Sequence, residues 1–118
     1  MADFMFIYRG GDAQESEMSP EQMQQYMEQW ISWIQNAMQA GWMVSPGDAL
    51  MPEGRLVRQE GELVITDGPF TESKEIVGGY SLIKADDLDQ AAKLAAGCPG
   101  FLTGGCVEVR PLADVPKE

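Results

Sequence analysis

The tetrapeptide Ser19-Pro20-Glu21-Gln22 constrains this chain more than any other stretch, because it carries each chemical mark of a helix start. Ser19 can cap the free N–H groups, Pro20 suits the first helical position, Glu21 places an acid in the first turn, and Gln22 completes a capping box. Met23, Met27, Trp30, Ile31, Ile34 and Met38 then follow at three- and four-residue steps. Tyr26, Trp33 and Ala37 widen the stripe, and Gly41 stands where a helix of about residues 20–40 would end. A helix this long with one apolar side must lay that side on another element, and a sheet is the expected partner. Core packing is a commoner use of a Met and Trp stripe than a ligand groove.

The rest of the chain supplies that sheet. Phe4-Met5-Phe6-Ile7-Tyr8 is apolar without alternation, the pattern of a central strand buried on both faces, and Gly10 to Met18 reads as a polar loop. Trp42-Met43-Val44 can form a second strand before the turn Ser45-Pro46-Gly47-Asp48. Arg55 to Arg58 and Glu62 to Thr66 flank Gln59-Glu60-Gly61 as a β-hairpin. Ile76 to Ile83 is a further strand, and its Gly78-Gly79 pair calls for a bulge or for something close to the backbone. Asp86 or Asp87 caps a second helix through Leu88, Ala91, Leu94 and Ala95, which Gly97 and Pro99 end. After a loop from Gly100 to Gly105, Cys106 to Arg110 alternates, with Val107 and Val109 on one face and Cys106, Glu108 and Arg110 on the other. This order predicts an α+β fold: a ferredoxin-like antiparallel sheet, two helices on one face, and an inserted hairpin. The other face stays bare, with Tyr8, Tyr80, Met and Val side chains available to it, so a homodimer is expected.

The polar segment Asp67-Gly68-Pro69-Phe70-Thr71-Glu72-Ser73-Lys74-Glu75 separates two strands and is longer than a tight hairpin needs. Asp67 can bond backbone N–H groups ahead of it, and Pro69 stiffens the turn. Asp67 and Glu75 are therefore candidate proton acceptors. Arg58, Lys74, Tyr8, Tyr80, Gly78 and Gly79 are candidate ligand-binding residues, the two basic groups suiting an anion and the phenols a proton donor. A carboxylate base needs burial to raise its pKa, whereas Lys74 nearby would lower it, so a catalytic role requires Lys74 to face the substrate. The plainer arrangement is a rigid turn whose acids face water.

At 118 residues the chain is a single domain, 1–118, able to bury a core without staples. Its net charge of −11 repels phosphate backbones and anionic lipid head groups, so neither direct nucleic-acid binding nor membrane binding is expected. Cys98 and Cys106 are too few for a structural zinc site, and there is no histidine, so no metal and no cofactor are expected. The cysteines read as free thiols of a cytoplasmic protein. The N-terminus does not read as a signal peptide, and no run approaches a membrane span.

Asp67-Gly68-Pro69-Phe70, Lys74-Glu75, Gly78-Gly79-Tyr80 and Val107-Glu108-Val109-Arg110-Pro111-Leu112 resemble the DGPF-domain branch of the YCII-related family, and the resemblance spans essentially the whole chain. It implies a dimeric α/β barrel built on a ferredoxin-like sheet. Some YCII-like members are lyases that use a His-Asp pair, such as the dehydrochlorinase of chloroaromatic breakdown. With no histidine here, the resemblance carries the fold and the position of a pocket rather than that reaction. The DGPF branch also resembles proteins fused or adjacent to extracytoplasmic-function sigma factors, which implies a regulatory link. Three functions are thereby expected to compete. The first is a small-molecule-binding or regulatory dimeric module, and the second a lyase- or isomerase-type enzyme with Asp67 or Glu75 as general base. The third is a purely structural or partner-binding module.

Overall fold

The computed structural model describes residues 1–68 and 76–115, the side chains of residues 12 and 13 aside. In chain order the elements are β1 (Ala2–Arg9), α1 (Asp12–Glu15), α2 (Pro20–Gln39), β2 (Met43–Ser45), β3 (Arg55–Glu60), β4 (Glu62–Asp67), β5 (Val77–Ala85), α3 (Leu88–Leu94), a 3-10 turn (Pro99–Thr103) and β6 (Cys106–Pro111). The main sheet runs β2-β5-β1-β6 with every pair antiparallel, while β3 and β4 form a separate two-stranded ribbon. β5 thus lies between β1 and β2, the two strands that α2 connects, which is the split βαβ order expected of an α+β fold. Two differences concern short pieces: α1 occupies part of the expected loop 10–18, and the 3-10 turn part of the expected loop 100–105. One-turn elements carry too few residues for periodicity to reveal them.

Helix α2 begins as its sequence dictates. The Ser19 hydroxyl accepts from the Gln22 N–H at 3.1 Å, and the Gln22 side-chain oxygen accepts from the Ser19 N–H at 2.9 Å. Its inward face differs from the expected stripe. Tyr26 and Ala37 are buried and Trp30, Trp33 and Ile34 half-buried, whereas Met27, Ile31 and Met38 are about half exposed. The rings that merely widened the stripe are its centre, because large flat rings exclude more water per position than flexible thioethers. In α3, Asp87 is the cap, accepting from the Gln90 N–H at 2.8 Å, and the small Ala91 allows close packing on the sheet.

The core joins Phe4 and Phe6 of β1, Ile83 and Ala85 of β5, Met43, Ala37 of α2, and Ala91 with Ala95 at and beyond α3. Phe4 pairs with Ile83 and Phe6 with Ser81, so these side chains share one face and both longer helices cover it. Burying Phe6 and Ile83 completely contributes about 1.5–3 kcal/mol each. Tyr8 also lies on the helix side, its ring 5.0 Å from Trp30 and 6.3 Å from Trp33. It is therefore not one of the groups that reach the bare face. That face carries Met5, Ile7, Tyr80 and Leu82, all half-buried, so within one chain β1 is buried on one side and not on both. Val107 and Val109 join the core from β6, on the face opposite Cys106, Glu108 and Arg110, as their alternation predicts.

Candidate functional site

The Gly78-Gly79 pair has a backbone explanation. Between Tyr8 and Arg9 the β1–β5 register shifts, Tyr8 facing Gly79 and Arg9 facing Val77, which leaves Gly78 as the unpaired residue of a bulge. A Cβ on Gly79 would lie 2.8 Å from the Asp48 carbonyl oxygen. What approaches Gly79 is the segment 46–50 of the same chain, tied down by Tyr80 N–H to Asp48 O at 3.2 Å and Leu50 N–H to Gly78 O at 2.8 Å. Gly47 makes the crossing possible at φ +66°, since a Cβ there would stand 2.0 Å from the Tyr80 carbonyl oxygen.

This crossing segment, the ends of β1 and β5, helix α2 and the 3-10 turn enclose a cavity of about 370 Å³. Trp30, Met27, Ile31 and Ile34 of α2 and Leu50 form an apolar wall, and Tyr8, Tyr26, Thr103, Cys98, Arg9, Glu15 and Asp48 supply polar groups, while Tyr80 borders the cavity from β5 with its ring on the bare face. The Tyr8 hydroxyl donates to the Ser81 hydroxyl at 2.8 Å, and Ser81, completely buried, donates to the Pro46 carbonyl at 2.8 Å. The Thr103 hydroxyl donates to the Gly100 carbonyl at 3.1 Å and lies 3.2 Å from the Tyr26 hydroxyl. The Tyr80 hydroxyl donates to Asp48 Oδ2 at 3.2 Å. At the cavity's edge Arg9 Nε bonds Glu108 Oε1 at 2.6 Å, and Arg110 bonds the other oxygen of Glu108 at 3.1 Å.

Burial sets the protonation states. It raises the Tyr8 phenol well above the ordinary tyrosine range, the bond to Ser81 only partly opposing it, and it pushes the Cys98 thiol up to about 11. Both groups are neutral near pH 7, so Cys98 is a thiol and not a nucleophilic thiolate. Glu108 is held below the usual glutamate range, chiefly by its hydrogen bonds to Arg9 and Arg110. The Asp48 carboxylate raises the Tyr80 phenol.

Of the residues singled out in the sequence, Tyr8, Gly78, Gly79 and Tyr80 meet at the cavity. Asp67 does not line it: it sits at the end of β4 with its side chain 76% exposed and paired with Arg55. Arg58 is exposed on β3 and faces Val64, whereas Asp67 faces Arg55. Directly opposed residues share a face and neighbours alternate, so Arg58 and Asp67 lie on opposite faces of the ribbon and do not converge. Lys74 and Glu75 lie outside the described residues. Trp30, Tyr26, Asp48, Ser81, Cys98 and Thr103 were not singled out as site residues. Trp30 and Tyr26 were visible as part of the helical stripe, but nothing local distinguishes a ring that walls a cavity from one that fills a core. Among the described residues no cluster of three or more His, Cys, Asp or Glu side chains is placed to hold a metal ion, and no helix is long and apolar enough to cross a membrane. Both cysteines are free thiols, Cys98 buried and Cys106 exposed.

Two comparisons with known proteins bear on this arrangement. The family model of the YCII-related domain matches residues 3–116. An uncharacterised protein of Rhizobium meliloti (strain 1021) is 43% identical over 54 residues, a match that spans 45% of this chain and 44% of the relative's length.

Proposed function

This chain belongs to the YCII-related family, and on that premise we propose that it is a small-molecule-binding module of the DGPF branch whose site is the cavity between α2 and the sheet. The observation that carries this reading is the cavity itself, about 370 Å³, apolar on the α2 side with a few polar groups converging from β1, the 46–50 crossing and the 3-10 turn. Small-molecule sites have this size and this mixture. The bare face with Met5, Ile7, Tyr80 and Leu82 supports a second copy as the partner that covers it, giving the dimeric α/β barrel form. A regulatory link to a sigma factor is compatible with ligand sensing by such a dimer. Proton abstraction by Asp67 draws no support from its surroundings, since its carboxylate is exposed, paired with Arg55 and away from the cavity.

A thermal-shift screen of small carboxylic acids, lactones, amines and neutral aromatics tests the reading, because a compound that binds the native state raises its melting temperature. Leu50→Trp, at a half-exposed position in the cavity wall, should abolish the shift of every hit while leaving the unliganded melt near that of the parent. Hits that Leu50→Trp does not affect would place binding elsewhere and overturn the proposal.

A further inference from the structure

Resting on the reading that this chain pairs with a second copy, we infer that the β3–β4 ribbon is an arm that grips that copy through the face made by Val57, Leu63 and Ile65. The register assigns each ribbon side chain to a face. Val57 pairs with Ile65 and Gln59 with Leu63, so these four share one face, with the paired Arg55 and Asp67 at its base. Arg58, Glu60 and Glu62 all fall on the other face. Gln59 gives an amide hydrogen to the Gly61 carbonyl at 3.0 Å and Arg55 is matched by Asp67, so the first face presents apolar surface without an unmatched charge. A strand pair sorted in this way is patterned to lay its apolar face on something. Yet Val57, Leu63 and Ile65 are each more than half exposed, so no described part of one chain covers them.

The ribbon needs a cover for its own stability. A two-stranded hairpin is marginal in water until a third strand, a helix or another surface packs on it. β3 and β4 pack chiefly on each other, and the bond from Gly68 N–H to the Gly54 carbonyl ties the base of the ribbon only to itself. The radius of gyration is 16.1 Å, larger than the roughly 13–14 Å of a compact domain of this length, as a projecting element requires. Area and charge identify the cover as a second copy. Met5, Ile7, Tyr80 and Leu82 of the bare face are half-buried already, and what they still expose falls short of the roughly 800 Å² that a stable interface takes from each copy. The ribbon face adds to it, and two-fold symmetry supplies the addition twice. At a net charge of −11 per chain, two copies meet most readily where neutral surface faces neutral surface, and this ribbon face is such a surface.

Sedimentation equilibrium of the full chain and its variants, joined to amide hydrogen exchange, tests the arm. Ile65→Asp is expected to raise the dimer Kd at least about tenfold, and Leu63→Lys to do the same, while the amides of Phe6 and Ile83 stay protected and so report an intact body. Arg58→Ser, on the opposite face, should leave Kd within about twofold. In the parent, the ribbon amides of residues 56–58 and 63–65 should be protected at high concentration and exchange fast once the protein is diluted below Kd. Ribbon exchange indifferent to concentration, or Arg58→Ser weakening the dimer as much as Ile65→Asp, would overturn the arm. Leu82→Asp separates the arm from the bare face. A dimer that Leu82→Asp dissociates and the two ribbon variants leave intact keeps the pairing and sinks the arm; one that the ribbon variants dissociate and Leu82→Asp leaves intact keeps the arm and removes the bare face from the interface. A monomeric parent sinks both.

Discussion

Replacing Ser81 by alanine deletes the middle of the relay that joins β1, β5 and the crossing segment 46–50. The lost oxygen accepts from Tyr8 and donates to the Pro46 carbonyl, both at 2.8 Å, and Ser81 is completely buried. Each intramolecular hydrogen bond contributes about 1 kcal/mol net, and a partner stranded away from water costs more. Tyr8 is half-buried and Pro46 exposed, so water can satisfy part of what each loses, and the total comes to about 2 kcal/mol. Tyr8→Phe removes only the first bond, because Ser81 can still donate to Pro46, and should cost about 1 kcal/mol. For a domain of this size 1 kcal/mol is roughly 3–6 °C in Tm, so the two variants should melt several degrees apart. Urea unfolding of both single variants and the double variant measures the same quantity. The double should cost no more than Ser81→Ala alone, since the Tyr8–Ser81 bond is counted once. Equal losses for the two single variants, or a strictly additive double, would refute the relay.

The glycines of the crossing should rank by the space each has. Gly47→Ala is the most destabilising because it combines φ +66° with a contact at 2.0 Å, Gly79→Ala is next at 2.8 Å, and Gly78→Ala, with nothing nearer than 3.8 Å, is the mildest; chemical denaturation gives the order. Glu108 has a folded pKa below its unfolded value, so its contribution to stability is present above about pH 4.3 and is lost as pH falls through the folded value. The stability gap between the parent and Glu108→Gln should therefore close on acidification, and a gap that widens below pH ~4 would contradict the Arg9–Glu108–Arg110 assignment. Thiol titration should resolve one fast and one slow cysteine, because Cys106 is exposed whereas Cys98 is buried with its pKa raised to about 11, and Cys106→Ser should remove the fast phase. Sedimentation equilibrium should find a homodimer at micromolar concentration that Leu82→Asp, on the bare face, converts to monomer; a monomeric parent would sink the dimer proposal.

The features legible in the residues are those whose causes lie within a few positions of chain. The capping box at Ser19 and Gln22, the Asp87 cap, the hairpin around Gly61 and the two-face alternation of Cys106 to Arg110 each depend on neighbours close in sequence, and each forms as its residues dictate. The α+β order follows from their succession, because a long amphipathic helix between strands has few other places to go. The candidate site was only partly legible. Tyr8, Gly78, Gly79 and Tyr80 stood out by composition and do meet at the cavity, yet the close approach that Gly79 permits is that of Asp48, 31 positions away. The choice between Tyr26 and Met27 as the inward position of α2, the turning of Tyr8 toward the helices, and the parting of Arg58 from Asp67 are settled by register and by rotation about an axis. A shift of one residue reverses the face in a strand, and about 100° of rotation exchanges neighbours in a helix. No local pattern encodes those choices; they belong to the packing of elements distant in the chain, and the cavity exists only once that packing is complete.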